Sequence, residues 1–401
     1  MRWTQAGISR KAALAFLITT LAAVPAMAPA GQPTPPLDEA SWSLFQRIFG
    51  MVLKDYVDPK SPQDVVLGAL KGAASSAGPE CAYIPPEEVP AYRASLTSPA
   101  GLPLFVTKDT DFARLIAPYP GQDASLTPGD ALRFIGDRST YDLTYPQILE
   151  ALRGKDGEKV RCIFLKQEAW RSYTVTLTRI PPAVPKWVSL GEGGGALVLP
   201  CLESELPAPV AKALQSAKGP MLVDLRGCAS GDARLAFRWL GTLLGKTESP
   251  ARKGPKGVIR EPLSGPGLLS GKAIRVLVGE TTGRAGEVVA AGLVAAGAAL
   301  VGSPTLGWAV YSQDFPLENG GLLRLNTAYF LAPDGEPLKG HPMVPTLAFT
   351  PAQGAKAEEV YRQALKVKAP KADPSKTAAS KKQPNGGKDG GTARQDPGHA
   401  R

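Results

Sequence analysis

Histidine is nearly absent from this chain: His341 and His399 are the only two among 401 residues. Cysteine is scarce too, and Cys81, Cys162, Cys201 and Cys228 form no CxxC pair. Structural zinc sites draw four Cys or His ligands from close local pairs, so no metal site is expected. No cofactor motif is evident, and no cofactor is implied. A Ser-His-Asp triad has one candidate base in the folded part, His341, near the end of the core. Lysine is missing from the whole stretch between Ala273 and Leu338. Beyond the N-terminus, no apolar run reaches the ~20 residues that a membrane-spanning helix needs.

Charge of one sign is also unevenly spread. The formal net charge is +10, yet residues 351–401 alone hold eleven Lys or Arg against five Asp or Glu. The folded part is therefore close to balanced, and a nucleic-acid partner is not expected. Past Ala364 the chain is Lys, Pro, Ala, Gly and Ser with little apolar mass to offset its ordering entropy. Residues 351–401 read as a basic disordered tail, suited to contact with an anionic membrane surface or envelope polymer.

What is present begins with a secretory pattern. Arg2, Arg10 and Lys11 form a basic region, Ala12 to Val24 an apolar one, and Ala26-Met27-Ala28 a small-x-small cleavage site. Residues 1–28 thus read as a signal peptide cut near Ala28, which places the chain outside the cytoplasm, in a periplasmic or extracellular setting where disulfides form.

The remaining length suggests two or three domains. Trp42, Phe45, Phe49, Val52 and Tyr56 recur at helical spacing, and Ser61-Pro62-Gln63-Asp64 opens a second helix as a capping box. Residues 38–96 are expected to be helical, a packed pair that would also serve as a dimerisation arm in a homodimer. Residues 97–182 alternate short strands with turns and one helix, capped by Thr144 and Gln147 and ended by Gly154. In 183–350, apolar strands at Ala196–Leu199, Met221–Leu225, Ile274–Val278 and Ala298–Val301 alternate with helices, which argues a mostly parallel βαβ layer. The fold class is α/β, α+β over the whole chain.

Several stretches, taken in order, resemble the carboxy-terminal processing peptidases, the S41 serine peptidases that carry a PDZ module. Asp55-Tyr56-Val57-Asp58 through Gly68-Ala69-Leu70-Lys71-Gly72 resembles their N-terminal helical signature. Leu126-Thr127-Pro128-Gly129-Asp130 and Leu152-Arg153-Gly154-Lys155-Asp156-Gly157 resemble their PDZ insert. Asp224-Leu225-Arg226 with Gly231, and Val301-Gly302 with Thr305, Gly307, Leu317 and Gly320, resemble the active-site strand end and the lysine-bearing segment. The resemblance implies a PDZ-like insert beside a tail-specific-protease core, and a Ser/Lys dyad in which lysine takes the serine proton.

The dyad is not there. Three residues before Glu287, where the resemblance puts the serine, stands Arg284, and the lysine position is Trp308. A guanidinium is no base at its pKa, and an indole accepts no proton. Ser312 fills a place that resemblance gives to glutamine. Oxyanion donors are implied at the backbone of Ala285 and near Ser230 and Gly231, and these would persist without the nucleophile. Arg284 beside them is read either as an anion clamp or as a solvent-facing side chain. The peptide-carboxylate loop of the PDZ insert corresponds to Gly101-Leu102-Pro103-Leu104, where Pro103 removes one donor. That insert is either a weakened peptide site or a spacer.

Cys201 and Cys228 follow what should be neighbouring strands, so a bridge between them is expected after export, with buried free thiols as the alternative. The function these readings favour is an exported pseudopeptidase that binds a peptide or exported protein, or regulates a partner such as an active relative. The alternatives are a serine-type endopeptidase with an unrecognised nucleophile, and a surface module acting through its tail.

Overall fold

The computed structural model describes residues 38–98, 100–108, 111–118, 125–166 and 171–368. The signal segment 1–28 and the chain beyond Lys368 lie outside the described residues. A first compact unit runs to Val65. Its helix α1 (Glu39–Asp55) is capped by Asp38, whose carboxylate accepts from the Ser41 N–H at 2.7 Å and the Ser41 hydroxyl at 2.8 Å. The helix buries no side chain. Helix α2 (Pro62–Ser75) crosses into the second unit; the Ser61 hydroxyl accepts from the Asp64 N–H at 3.1 Å, and Pro62 sits where a missing N–H costs nothing. Among the described residues no helix is long and apolar enough to cross a membrane.

In the second unit, helix α3 (Val89–Leu96) follows strand Ala82–Ile84. A sheet of Leu104–Lys108, Ala113–Pro118, Ala131–Ile135, Lys159–Leu165 and Ser172–Thr178 is antiparallel throughout. Helix α4 (Tyr145–Leu152) closes it by setting Ile148 among Leu115, Leu132 and Phe164, all four essentially inaccessible to solvent. The expected cap is present: Gln147 Oε1 accepts from the Thr144 N–H at 2.9 Å. The expected stop is not. The helix ends at Leu152 with Arg153 in extended backbone, and Gly154 follows as strand. Gly154 serves packing instead, since a Cβ there would meet the Arg179 guanidinium at 2.5 Å.

The apolar strand runs form a six-stranded sheet ordered Lys186–Gly191, Gly194–Val198, Met221–Asp224, Ile274–Val278, Ala299–Gly302, Leu347–Ala348. The first pair is antiparallel and the rest parallel. Side chains alternate in direction along a strand, so each strand feeds both faces. Leu197, Val223, Val276 and Leu300 pack under helices α5 (Ala208–Ser216), α6 (Ala233–Leu244) and α7 (Ala285–Ala295). Ala196, Leu222, Leu277 and Val301 face the other way. A second sheet pairs Leu322–Phe330 with Ala82–Ile84, Arg252–Gly254 and Val310–Pro316. The segment assigned to a purely helical 38–96 region therefore contributes a strand to this sheet.

Helix α8 (Ala357–Lys366) corrects the tail boundary at 351. Its Val360, Tyr361 and Ala364 are buried against the second face of the parallel sheet. The Arg275 guanidinium donates to the carbonyls of Ala364 and Val367, both at 2.8 Å. Composition averaged over the basic C-terminus concealed this single apolar stripe. Replacing Tyr361 by Ala should lower stability by about 3 kcal/mol, the cost of emptying a large aromatic site, whereas truncation after Lys368 should leave the denaturation midpoint in place. A Tyr361→Ala midpoint equal to the parent's would mean that α8 is not part of the core.

Candidate active site

The parallel strands end where the chemistry-bearing loops begin, the usual place for a crevice in such sheets. After Met221–Asp224, buried Asp224 accepts from Arg226 at 3.0 and 2.8 Å. After Ile274–Val278, the Thr282 hydroxyl donates to Leu225 O and the Gly283 N–H to Cys228 O, at 3.0 and 2.9 Å. The Gly227 N–H donates to the Thr281 hydroxyl at 3.0 Å. These bonds lock the 225–231 and 279–284 loops together and fix the start of α7.

Arg284 is the N-cap of α7, with φ 49° and ψ −122°. Backbone in this region costs a non-glycine residue roughly 1–3 kcal/mol and persists only where its surroundings enforce it. The solvent-facing reading of Arg284 does not hold. Its guanidinium pairs with Glu80, at 2.5 and 3.2 Å to the two carboxylate oxygens. Only 14% of the Arg284 side chain and 6% of the Glu80 side chain reach solvent. The guanidinium also lies 5.2 Å from the Tyr145 ring centroid, and Val106 O is 3.5 Å away. Burial pushes the Glu80 carboxyl up, but the charge and hydrogen bonds of Arg284 outweigh it and hold the group below its ordinary value. Burial, opposed by the charge of Arg284 and reinforced by that of Glu80, drives the Tyr145 phenol up to about 12.

Trp308, at the position that the resemblance gives to lysine, is packed as firmly. Glu287 is fully buried and accepts from the Thr305 hydroxyl at 2.6 Å and from the N–H groups of Gly307 and Trp308 at 2.6 and 2.8 Å. Burial raises its carboxyl above the ordinary value, against these donors. Half-buried Trp308 packs with Leu306 against Phe105, Ile116, Ala117 and Ala229. Lys339 Nζ stands 3.8 Å from its ring centroid. Ser312 donates to Asn326 Oδ1 at 2.7 Å. His341 is exposed and lines no part of the site.

A cleft of about 620 Å³ joins the pieces. Ser230, Gly231, Arg284, Ser312, Gly101, Leu102 and Leu104 all line it, while Ala285 and Trp308 line a smaller pocket that shares Gly231, Arg284 and Ser312 with it. Pro103 lines neither. Gly231 has φ 89°, and a Cβ there would come within 3.2 Å of Ala285 Cβ, so glycine lets these two loop segments approach. The N–H groups of Gly231 and Ala285 are bonded to no acceptor among the described residues.

The 101–104 loop has no donors to offer. The N–H groups of Gly101, Leu102 and Leu104 go to Ile180 O, Leu152 O and Leu102 O at 3.0, 2.9 and 2.8 Å. Cys201 and Cys228 are free thiols, which corrects the expected bridge. Their strands are parallel neighbours, but each cysteine lies beyond the strand end and turns its own way. Cys201 Sγ donates to Ala183 O at 3.2 Å, and Cys228 Sγ faces Gly286. Burial drives the Cys201 thiol up to about 11 and Cys228 well above its ordinary value, so neither is an activated nucleophile. Among the described residues no group of three or more His, Cys, Asp or Glu is placed to hold a metal ion.

Sequence reasoning missed Glu80, Tyr145 and Lys339. Glu80 is 204 positions from its partner, and only the fold reveals the pairing. Lys339 is the first lysine past the depleted stretch, which was the available signal.

Comparison with known proteins agrees with this geometry. Residues 204–349 match the family model for peptidase family S41. The carboxy-terminal-processing protease of Bartonella bacilliformis is 25% identical over 321 residues, covering 76% of this chain and 74% of that protein. The carboxy-terminal processing protease CtpA of Bacillus subtilis is 21% identical over 323 residues, covering 76% and 68%. Among solved structures, a photosystem II D1 C-terminal processing protease shares the fold, with a TM-score of 0.59 at 18% identity, over 80% of this chain and 96% of that one.

Because the folded Glu80 carboxyl titrates below its ordinary 4.5, its pairing stabilises the protein fully above that value and less as pH falls through the folded one. Removing one partner of a buried pair costs about 3–5 kcal/mol. Glu80→Gln should therefore destabilise by that much at pH 7, and the gap to the parent should shrink in acid. Urea midpoints across pH 7 to 3 decide the matter, and a gap that stays constant would contradict it.

Proposed function

We propose that this chain, whose residues 204–349 match the family model for peptidase family S41, is an exported, non-hydrolytic relative of that family that holds peptide segments of other exported proteins in its cleft. The observation that carries the reading is the buried Arg284–Glu80 pair at the position where resemblance puts the nucleophile. A guanidinium committed to a carboxylate neither attacks a carbonyl nor relays a proton. At the partner position, Trp308 supplies an apolar wall in place of a base.

Binding is a different matter. The cleft volume suits an extended peptide segment, and unspent backbone donors remain at Gly231 and Ala285. The 104–178 sheet, read as PDZ-like, presents Leu104–Lys108 as an edge strand with Leu104, Phe105 and Val106 on the cleft. Strand addition there needs no carboxylate loop. Holding a peptide without cutting it suits sequestration of a substrate or regulation of an active relative.

The test is hydrolysis by the purified chain from residue 29 onward, with unfolded proteins as substrate and mass spectrometry as readout. No fragments above a blank are expected. Turnover that disappears on Ser230→Ala would make the unpartnered Ser230 hydroxyl a nucleophile and contradict the proposal.

A further inference from the structure

One surface outside the cleft combines exposed apolar side chains with charge of nearly one sign. The sheet built on Leu322–Phe330 ends in a ribbon of Arg252–Gly254 and Gly257–Ile259, paired antiparallel and turned through Pro255 and Lys256. Gly257–Ile259 is the edge strand. The register sets Lys253 opposite Val258 on one side and Tyr329 on the other, so these three side chains share a face. Arg252, Ile259 and Phe330 share the opposite face. Of these, Arg252 and Phe330 are buried, with the Arg252 guanidinium 4.2 Å from the Tyr311 ring centroid. The rest of the ribbon stands clear of the core: Val258 is 60% exposed, Ile259 43% and the adjoining Tyr329 50%. Successive residues of a strand point to opposite faces, so Val258 and Ile259 leave apolar surface open on both sides of the ribbon. A flat protein partner would cover one side and leave the other wet. A medium that surrounds the ribbon covers both.

Charge says which medium. Residues 246–263 hold Lys246, Arg252, Lys253, Lys256 and Arg260 against Glu248 and Glu261. Arg252 and Glu261 spend their charges on each other. What remains is four exposed cations, Lys246, Lys253, Lys256 and Arg260, against one exposed carboxylate, Glu248. Lys256 sits at the turn itself. The acidic turn with Asp334 and Glu336 lies toward the base of the ribbon, since the Leu331 N–H donates to Ala251 O at 2.8 Å. Lysine and arginine lay their stems along apolar surface while their heads stay with polar groups, and tyrosine suits a boundary that is apolar on one side and wet on the other. An anionic lipid surface offers both halves of that environment.

We propose that this ribbon docks the protein on an anionic lipid surface, with Val258, Ile259 and Tyr329 set into the headgroup layer and Lys253, Lys256 and Arg260 against the lipid phosphates. The contact belongs to the folded domain and is separate from the basic C-terminus. It uses no part of the cleft, so it stands whether or not the cleft holds a peptide.

The experiment is co-sedimentation of the purified chain from residue 29 onward with vesicles of phosphatidylcholine, alone or mixed with phosphatidylglycerol in a roughly two-to-one ratio. Stronger binding to the mixed vesicles is expected. A lysine near an anionic surface contributes about fivefold in partitioning, so Lys253→Gln with Lys256→Gln should weaken that binding about 25-fold. Val258→Ser with Ile259→Ser, which keeps every charge, should weaken it about tenfold. All four side chains are exposed, so melting should not move in either double variant. The chain ended at Lys368 should still bind and keep the same ratios between parent and variants. Binding that neither double variant lowers, equal binding to both kinds of vesicle, or binding to neither would overturn the proposal. Loss of all binding on shortening to Lys368 would assign the contact to the tail instead. Retention on polyglutamate beads without vesicle binding would overturn it in favour of an acidic protein partner.

Discussion

A carboxylate at position 80 and a guanidinium at position 284 can be buried here only together. Either charge alone in this interior would face a desolvation cost of several kcal/mol, while the pair satisfies itself through two contacts. Such pairs add little net stability compared with an apolar pair of equal size. What this one supplies is position. It ties the segment before strand Ala82–Ile84 to the first turn of α7. The strained backbone of Arg284 is held in the same act.

The two substituted residues also fasten the antiparallel module to the parallel core. Arg284 reaches Val106 O and the Tyr145 ring, both in the module. Trp308 packs against Phe105, Ile116 and Ala117 of the module and Ala229 of the core. The cleft between them is thus bounded by fixed contacts at the end where Arg284 and Trp308 stand. Glu287 secures the arrangement from beneath by gathering Thr305, Gly307 and Trp308.

The parallel layer was legible because its strands are short, apolar and β-branched, and because Gly and Pro punctuate them. Ile274–Val278 was read to the residue. The Thr144 cap was readable because a capping box is local in sequence. Where the reading failed, the deciding partner was remote or averaged away. Gly154 looked like a helix stop, but its reason to be glycine is Arg179 across the sheet. Helix α8 was lost inside a basic tail because only three of its residues are buried. The cysteine bridge followed correctly from strand adjacency and failed on side-chain direction, which the pattern of strands does not encode. Arg284 and Trp308 were singled out from motif order alone. What Arg284 does there depends on Glu80, and no spacing rule links those two residues.

The most direct test of the account is a double-mutant cycle on Glu80 and Arg284, using Glu80→Gln, Arg284→Met and the double variant, read by urea unfolding at pH 7. Close, buried charge pairs give coupling energies of about 1.5 kcal/mol or more. The account predicts a coupling of that size, with the double variant more stable than either single one. Additive effects, with coupling near zero, would contradict it, because Arg284 would then stand at the start of α7 without being held there by Glu80.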